Sequence, residues 1–136
     1  MKKSLFTSAI LLLMVTCSSA QKNIPAPVKE AFSKKYAGVT PKWEKEGSEF
    51  EASFTHEGHK MSAVFAADGK ITETEMEIKA TELPAAAVAY VKEHYKDAKI
   101  KEAAKITKAN GEVIYEAEVK GKDLLFDASG KFLKSE

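Results

Sequence analysis

The chain has 136 residues, 44% hydrophobic and 30% charged, with 21 Lys and no Arg set against 20 acidic residues. A formal charge of +1 excludes the basic stripe that nucleic acid requires and the polybasic segment that an anionic membrane surface requires. One cysteine in a chain of single-domain length excludes an internal disulfide framework, so stability must come from packing.

Lys2-Lys3, an apolar run from Leu5 to Val15 and the small residues Cys17-Ser18-Ser19-Ala20 have the three-part layout of an export signal. The apolar run is too short to span a bilayer. Ser18 and Ala20 predict cleavage before Gln21, which leaves 116 residues, 19 basic and 20 acidic, in the periplasm or outside the cell with no stable membrane insertion. The alternative is a lipoprotein anchored through Cys17, although Met14-Val15-Thr16-Cys17 is a poor lipobox.

From Ile24 the chain reads as a helix opened by Pro25, with Val28, Ala31, Phe32 and Tyr36 on one face and Gly38 after it. The period then changes to two, which predicts strands carrying Trp43, then Phe50, Ala52 and Phe54, then Met61, Ala63 and Phe65. A last strand runs from Lys70 to Ile78, with Glu73, Glu75 and Glu77 alternating with Thr74, Met76 and Ile78; it reads as a solvated or charge-blunted edge. A second helix follows Pro84, with Ala87, Val91 and Tyr95 on one face and Tyr90 nearby. Strands resume with Ile100, Ala104 and Ile106, and continue with Val113, Tyr115, Ala117 and Val119. Gly47, Gly58, Gly69, Gly111, Gly121 and Gly130 mark the hairpin turns.

The two stretches are one unit written twice. Ile24-Pro25-Ala26-Pro27-Val28 returns as Leu83-Pro84-Ala85-Ala86-Ala87, Phe50-Glu51-Ala52 as Tyr115-Glu116-Ala117, and Val64-Phe65-Ala66-Ala67-Asp68-Gly69-Lys70-Ile71 as Leu125-Phe126-Asp127-Ala128-Ser129-Gly130-Lys131-Phe132. The expected fold is therefore α+β: a tandem repeat of one helix plus about four antiparallel strands, 21–80 and 81–136. Neither unit is large enough to be comfortable alone, so both should join in one domain, with two helices packed on one face of a joined antiparallel sheet. The other face should be polar. Lys42, Glu44, Glu49, Glu51, Ser53, Lys60, Ser62, Glu116, Glu118 and Lys120 fall out of phase with the apolar set, with Ile114 and Val64 as exceptions, and read as a solvated Lys/Glu lattice.

An export signal followed by two helix-plus-meander copies, each ending in a Phe-x-x-Asp/Ser-Gly-Lys-Ile/Phe hairpin, resembles the PepSY-like family of small secreted bacterial proteins, similar in fold to the β-lactamase inhibitor proteins. The resemblance spans Ile24 to Glu136 and implies a role in binding or inhibiting a protein or peptide partner in the cell envelope. The residues expected on the open face lack the Trp, Tyr and Arg anchors of a tight inhibitor surface.

Catalytic signals are absent. Ser33, Ser48, Ser53, Ser62 and Ser129 are scattered and none lies in a nucleophile elbow, so no catalytic residue and no cofactor is assigned. His56-Glu57-Gly58-His59 is the one grouping of metal-ligand types, and a Zn²⁺ or Cu²⁺ carrier or sensor using His56 and His59 is the alternative to the binding module. Two imidazoles on a hairpin turn are otherwise simply exposed. Trp43, Phe50, Phe54 and Phe65 could line a groove, but their shared phase predicts core.

Overall fold

Two prolines set the frame. Pro25 and Pro84 hold extended backbone at the N-caps of ten-residue helices, α1 (Ala26–Lys35) and α2 (Ala85–His94). Their carbonyls accept from the N–H groups three and four residues on, Val28 and Lys29 in one helix and Ala87 and Val88 in the other. Tyr36 and Tyr95 close the helices alike, each donating its N–H at 2.8 Å to the carbonyl of Phe32 or Val91. Lys34 and Lys35, and Lys92 and His94, occupy the last turns, where the helix dipole favours cations.

The computed structural model describes residues 23–136; the expected export signal over 1–20 and Cys17 lie outside the described residues. After α1 come β1 (Lys42–Glu46), β2 (Glu49–His56), β3 (His59–Phe65) and β4 (Ile71–Ile78). A short 3-10 turn at Ala80–Glu82 leads into α2, which is followed by β5 (Ile100–Lys108), β6 (Val113–Val119), β7 (Lys122–Asp127) and β8 (Phe132–Ser135). All eight strands form one antiparallel sheet in chain order. The two four-strand sets meet where β4 pairs with β5, from Glu73 opposite Lys108 to Ile78 opposite Ala103. β4 is therefore an interior strand, and the edge expected for it from its glutamates belongs to β1 and β8 instead.

Each helix has its own core. Phe32 of α1 sits among aromatic rings, with centroids 5.2 Å from Tyr36, 5.5 Å from Trp43, 5.0 Å from Phe54 and 6.3 Å from Phe65. Ile24, Val28, Phe50, Ala52 and Ala63 complete that cluster, so Trp43 and its phase-mates are core. Around α2 the equivalent space is filled by Ala87, Val91, Ala103, Ala117, Val119, Leu124 and Phe126. Two glycines lock helix to sheet. A Cβ on Gly69 (φ +90°) would lie 2.6 Å from the Pro27 carbonyl oxygen, and one on Gly130 (φ +87°) 2.8 Å from the Ala87 nitrogen. Only glycine permits both that backbone conformation and that approach.

Two expectations fail here. Ala104 and Ile106 do not continue the phase of Ile100: a bulge between Ile100 and Glu102 shifts the alternation, so Ala103 joins the core while Ala104 and Ile106 point the other way. The second face is also not a solvated lattice. Ala63-Val64-Phe65 and Leu124-Leu125-Phe126 are buried at three successive positions, which on a period-two strand means both sides of the sheet are buried there.

Candidate binding face

Residues directly opposite on neighbouring strands project to the same side, so the register assembles the second face row by row. One row runs Ser53, Ser62, Glu75, Ile106, Ile114 and Asp127 across β2 to β7. The next runs Glu77, Ala104, Glu116, Leu125 and Lys134 across β4 to β8. A third joins Glu51, Val64, Glu73 and Lys108. None of these residues belongs to either helix-centred core. Val64, Ala104, Ile106 and Leu125 are nonetheless buried, and among them lies Glu75, 9% exposed.

Charge at the margin of this face is paired. Lys60 reaches Glu77 at 3.3 Å, Lys101 reaches Glu118 at 3.0 Å, and Lys108 and Lys134 contact Glu73 and Glu136. Charge at its centre is not: among the described residues, neither Glu75 nor Glu116 has a hydrogen bond or an ion pair. Burial, reinforced by Glu51, Glu73 and Asp123, pushes the Glu75 carboxyl up to about 7. Burial likewise pushes Glu116 up to about 8, with Glu75, Asp123, Glu136 and Glu118 adding to it. Glu51 and Asp123 are raised as well, both first by loss of water. The centre of the face is thus an apolar floor bearing two carboxyls, Glu75 and Glu116, that have lost much of their water without gaining a protein counter-charge, while their oxygens are not fully enclosed.

The histidines singled out in the sequence lie elsewhere. His56 and His59 are opposite each other at the ends of β2 and β3, flanking the Glu57-Gly58 turn. The His56 ring packs edge-on against Tyr36 at 5.4 Å and its Nε2 lies 3.9 Å from Glu57, while His59 Nδ1 is 3.4 Å from the Glu77 carbonyl oxygen. Among the described residues no three His, Cys, Asp or Glu side chains converge as metal ligands. Sequence reasoning missed Ile106 and Ala104 because the bulge is silent in the pattern, and missed Glu75 because it assigned β4 to an edge. Ile114 and Val64, apolar residues sharing the phase of the polar set, were the signal that this face is not uniformly polar.

A family model described as beta-lactamase-inhibitor-like, PepSY-like matches residues 48–134, well over half of the chain. The chain belongs to the PepSY-like family. No curated protein matches the sequence. Among solved structures, a DUF2874 family protein of Bacteroides uniformis is similar at a TM-score of 0.74 and 18% identity, over 82% of this chain and 88% of that one. A protein of Bacteroides eggerthii, described as periplasmic, is similar at 0.73 and 20% identity, over 82% and 87%. A BLIP-like protein of Bacteroides fragilis is similar at 0.63 and 24% identity, over 82% and 85%. At such identities the likeness establishes the shared fold, two helices with an eight-stranded antiparallel sheet. Among the described residues no helix is long and apolar enough to cross a membrane.

Proposed function

We propose that this PepSY-like protein is an exported, non-enzymatic binding module of the bacterial cell envelope that engages a protein or peptide partner through the second face of its sheet. The observation that carries the reading is the patch of Val64, Ala104, Ile106 and Leu125 around Glu75 and Glu116, which contributes to neither core. A face needed only for solubility would carry paired charges throughout, as its margin does.

The reading takes the chain as a duplicated unit with both helices on the opposite side of the sheet. The matching caps, the matching clashes at Gly69 and Gly130, and a row that runs unbroken from Ser53 on β2 to Asp127 on β7 support it. Export through residues 1–20 and residence in the periplasm are part of the same proposal, in keeping with the description of the Bacteroides eggerthii neighbour.

Photo-cross-linking in the envelope tests it. A benzophenone side chain at Ile114 should give one discrete adduct and the same group at Lys29 of α1 none; adducts from Lys29 alone, or from neither, would reject the face. The opposition of His56 and His59 across their turn favours one second reading, a Zn²⁺ or Cu²⁺ carrier. Calorimetry with both metals on the protein and on a His56→Ala, His59→Ala double variant decides it, and equal heats would remove it.

A further inference from the structure

We infer that the occupant of this face is a basic segment of a partner protein, whose Lys or Arg side chain seats between Glu75 and Glu116 over the apolar floor of Ala104, Ile106 and Leu125. The inference rests on the binding-module reading and specifies its chemistry.

Three observations carry it. Glu75 is 9% exposed and has neither a hydrogen bond nor an ion pair among the described residues; since no fully enclosed side-chain oxygen there is without a hydrogen-bond partner, its carboxyl keeps a narrow opening to solvent through which a donor can reach it. Glu75 and Glu116 flank β5 from either side, opposite Ile106 and Ala104 respectively, so a side chain lying over β5 has a carboxyl on each hand and methyl groups beneath it. That is the environment suited to a long aliphatic stem with a charged tip. The lysines on and around this face are already engaged with peripheral acids: Lys60 with Glu77, Lys101 with Glu118, Lys108 with Glu73 and Lys134 with Glu136. Of the remaining acids, Glu51, Glu102 and Asp123 add negative potential, with Lys101 offsetting part of it at Asp123, while Asp127 accepts hydrogen bonds from Ser129 and the Lys131 N–H in its own turn. An acidic or neutral partner would leave both central carboxyls buried and unpaired, whereas a cation satisfies them.

The experiment uses a capped peptide of alternating Val and Lys, its counterparts with Gln or Glu in place of every Lys, and calorimetry in two buffers of different ionisation enthalpy. The Lys peptide should bind at least about tenfold more tightly than the Gln peptide, with protons released on binding and affinity rising about tenfold between pH 5.5 and 8.5 as the carboxyls give up their protons. In a Glu75→Gln, Glu116→Gln double variant, checked by circular dichroism to be folded, both the Lys preference and the proton release should vanish. Equal affinity for the Lys and Gln peptides, binding by none, or a preference that survives in the double variant would overturn the inference. An Ile114 adduct obtained alongside any of these results would leave the face as the partner site and reject only the cation.

Discussion

The central carboxyls should make the free protein less stable as pH rises, and Glu75→Gln isolates the effect. Glu75 in the folded chain holds its proton up to about 7, whereas the unfolded chain releases it near the ordinary 4.5. Folding therefore retains a proton between those values, and stability falls as pH climbs through that window. At about 1.4 kcal/mol for each pH unit of displacement, the loss is on the order of 3 kcal/mol. Glu116, raised to about 8 in part by Glu75, titrates as its coupled partner and extends the fall to higher pH. Glutamine keeps the shape of the side chain and cannot ionise. Urea unfolding of wild type and variant should give similar stabilities at pH 5 and a variant more stable by about 2 to 3 kcal/mol at pH 8.5. A gap between the two proteins that is the same at both pH values would mean that the Glu75 carboxyl is an ordinary solvated one, and the account of the face would fail with it.

Gly69→Ala and Gly130→Ala should each lower stability by about 2 kcal/mol or more in thermal unfolding, because a Cβ there meets helix backbone, while Gly58→Ala, with open space around it, should lose about 1 kcal/mol from φ strain alone. Phe32→Ala empties the centre of the aromatic cluster and should lose about 3 to 5 kcal/mol, with Trp43 fluorescence shifting to the red; an unshifted spectrum would place Trp43 outside that cluster. Residues 21–80 expressed alone should give a poorly dispersed NMR spectrum, since β4 loses its pairing with β5 and a unit of that size buries too little surface. Sharp, dispersed peaks would show that one copy is self-sufficient.

The helices and the sequence of strands were legible because their signals are local. Pro25 and Pro84 announce helix starts, the spacing of Val28, Phe32 and Tyr36 gives the buried stripe, and glycines follow the strands at each turn. The binding face was less legible because it depends on what joins to what. Whether Glu75 lies on an edge or in the interior is decided by the β4–β5 pairing, 35 residues apart in sequence at Glu73 and Lys108. The bulge at Ile100 and Glu102 inverts the phase of everything after it in β5 without any Gly to mark it. His56 and His59 drew notice because their chemistry is rare in this chain, whereas Glu75 and Glu116 are two of many glutamates, distinguished only by the water they have lost.

Those two glutamates work against the fold that carries them. At both positions an apolar side chain would continue the floor of Ile106 and Leu125 and remove a neutral-pH penalty, as replacement of buried charge by hydrophobic side chains commonly does. Residues that oppose stability and sit together on one face are those expected where contact with another molecule sets the requirement. Binding of a cation there must then stabilise the fold by the same carboxyls that burden it when free. Because a ligand that binds only the native state raises stability with the logarithm of the ratio of its concentration to its dissociation constant, the gain should be largest above pH 8, where both carboxyls are ionised and the unbound protein is weakest.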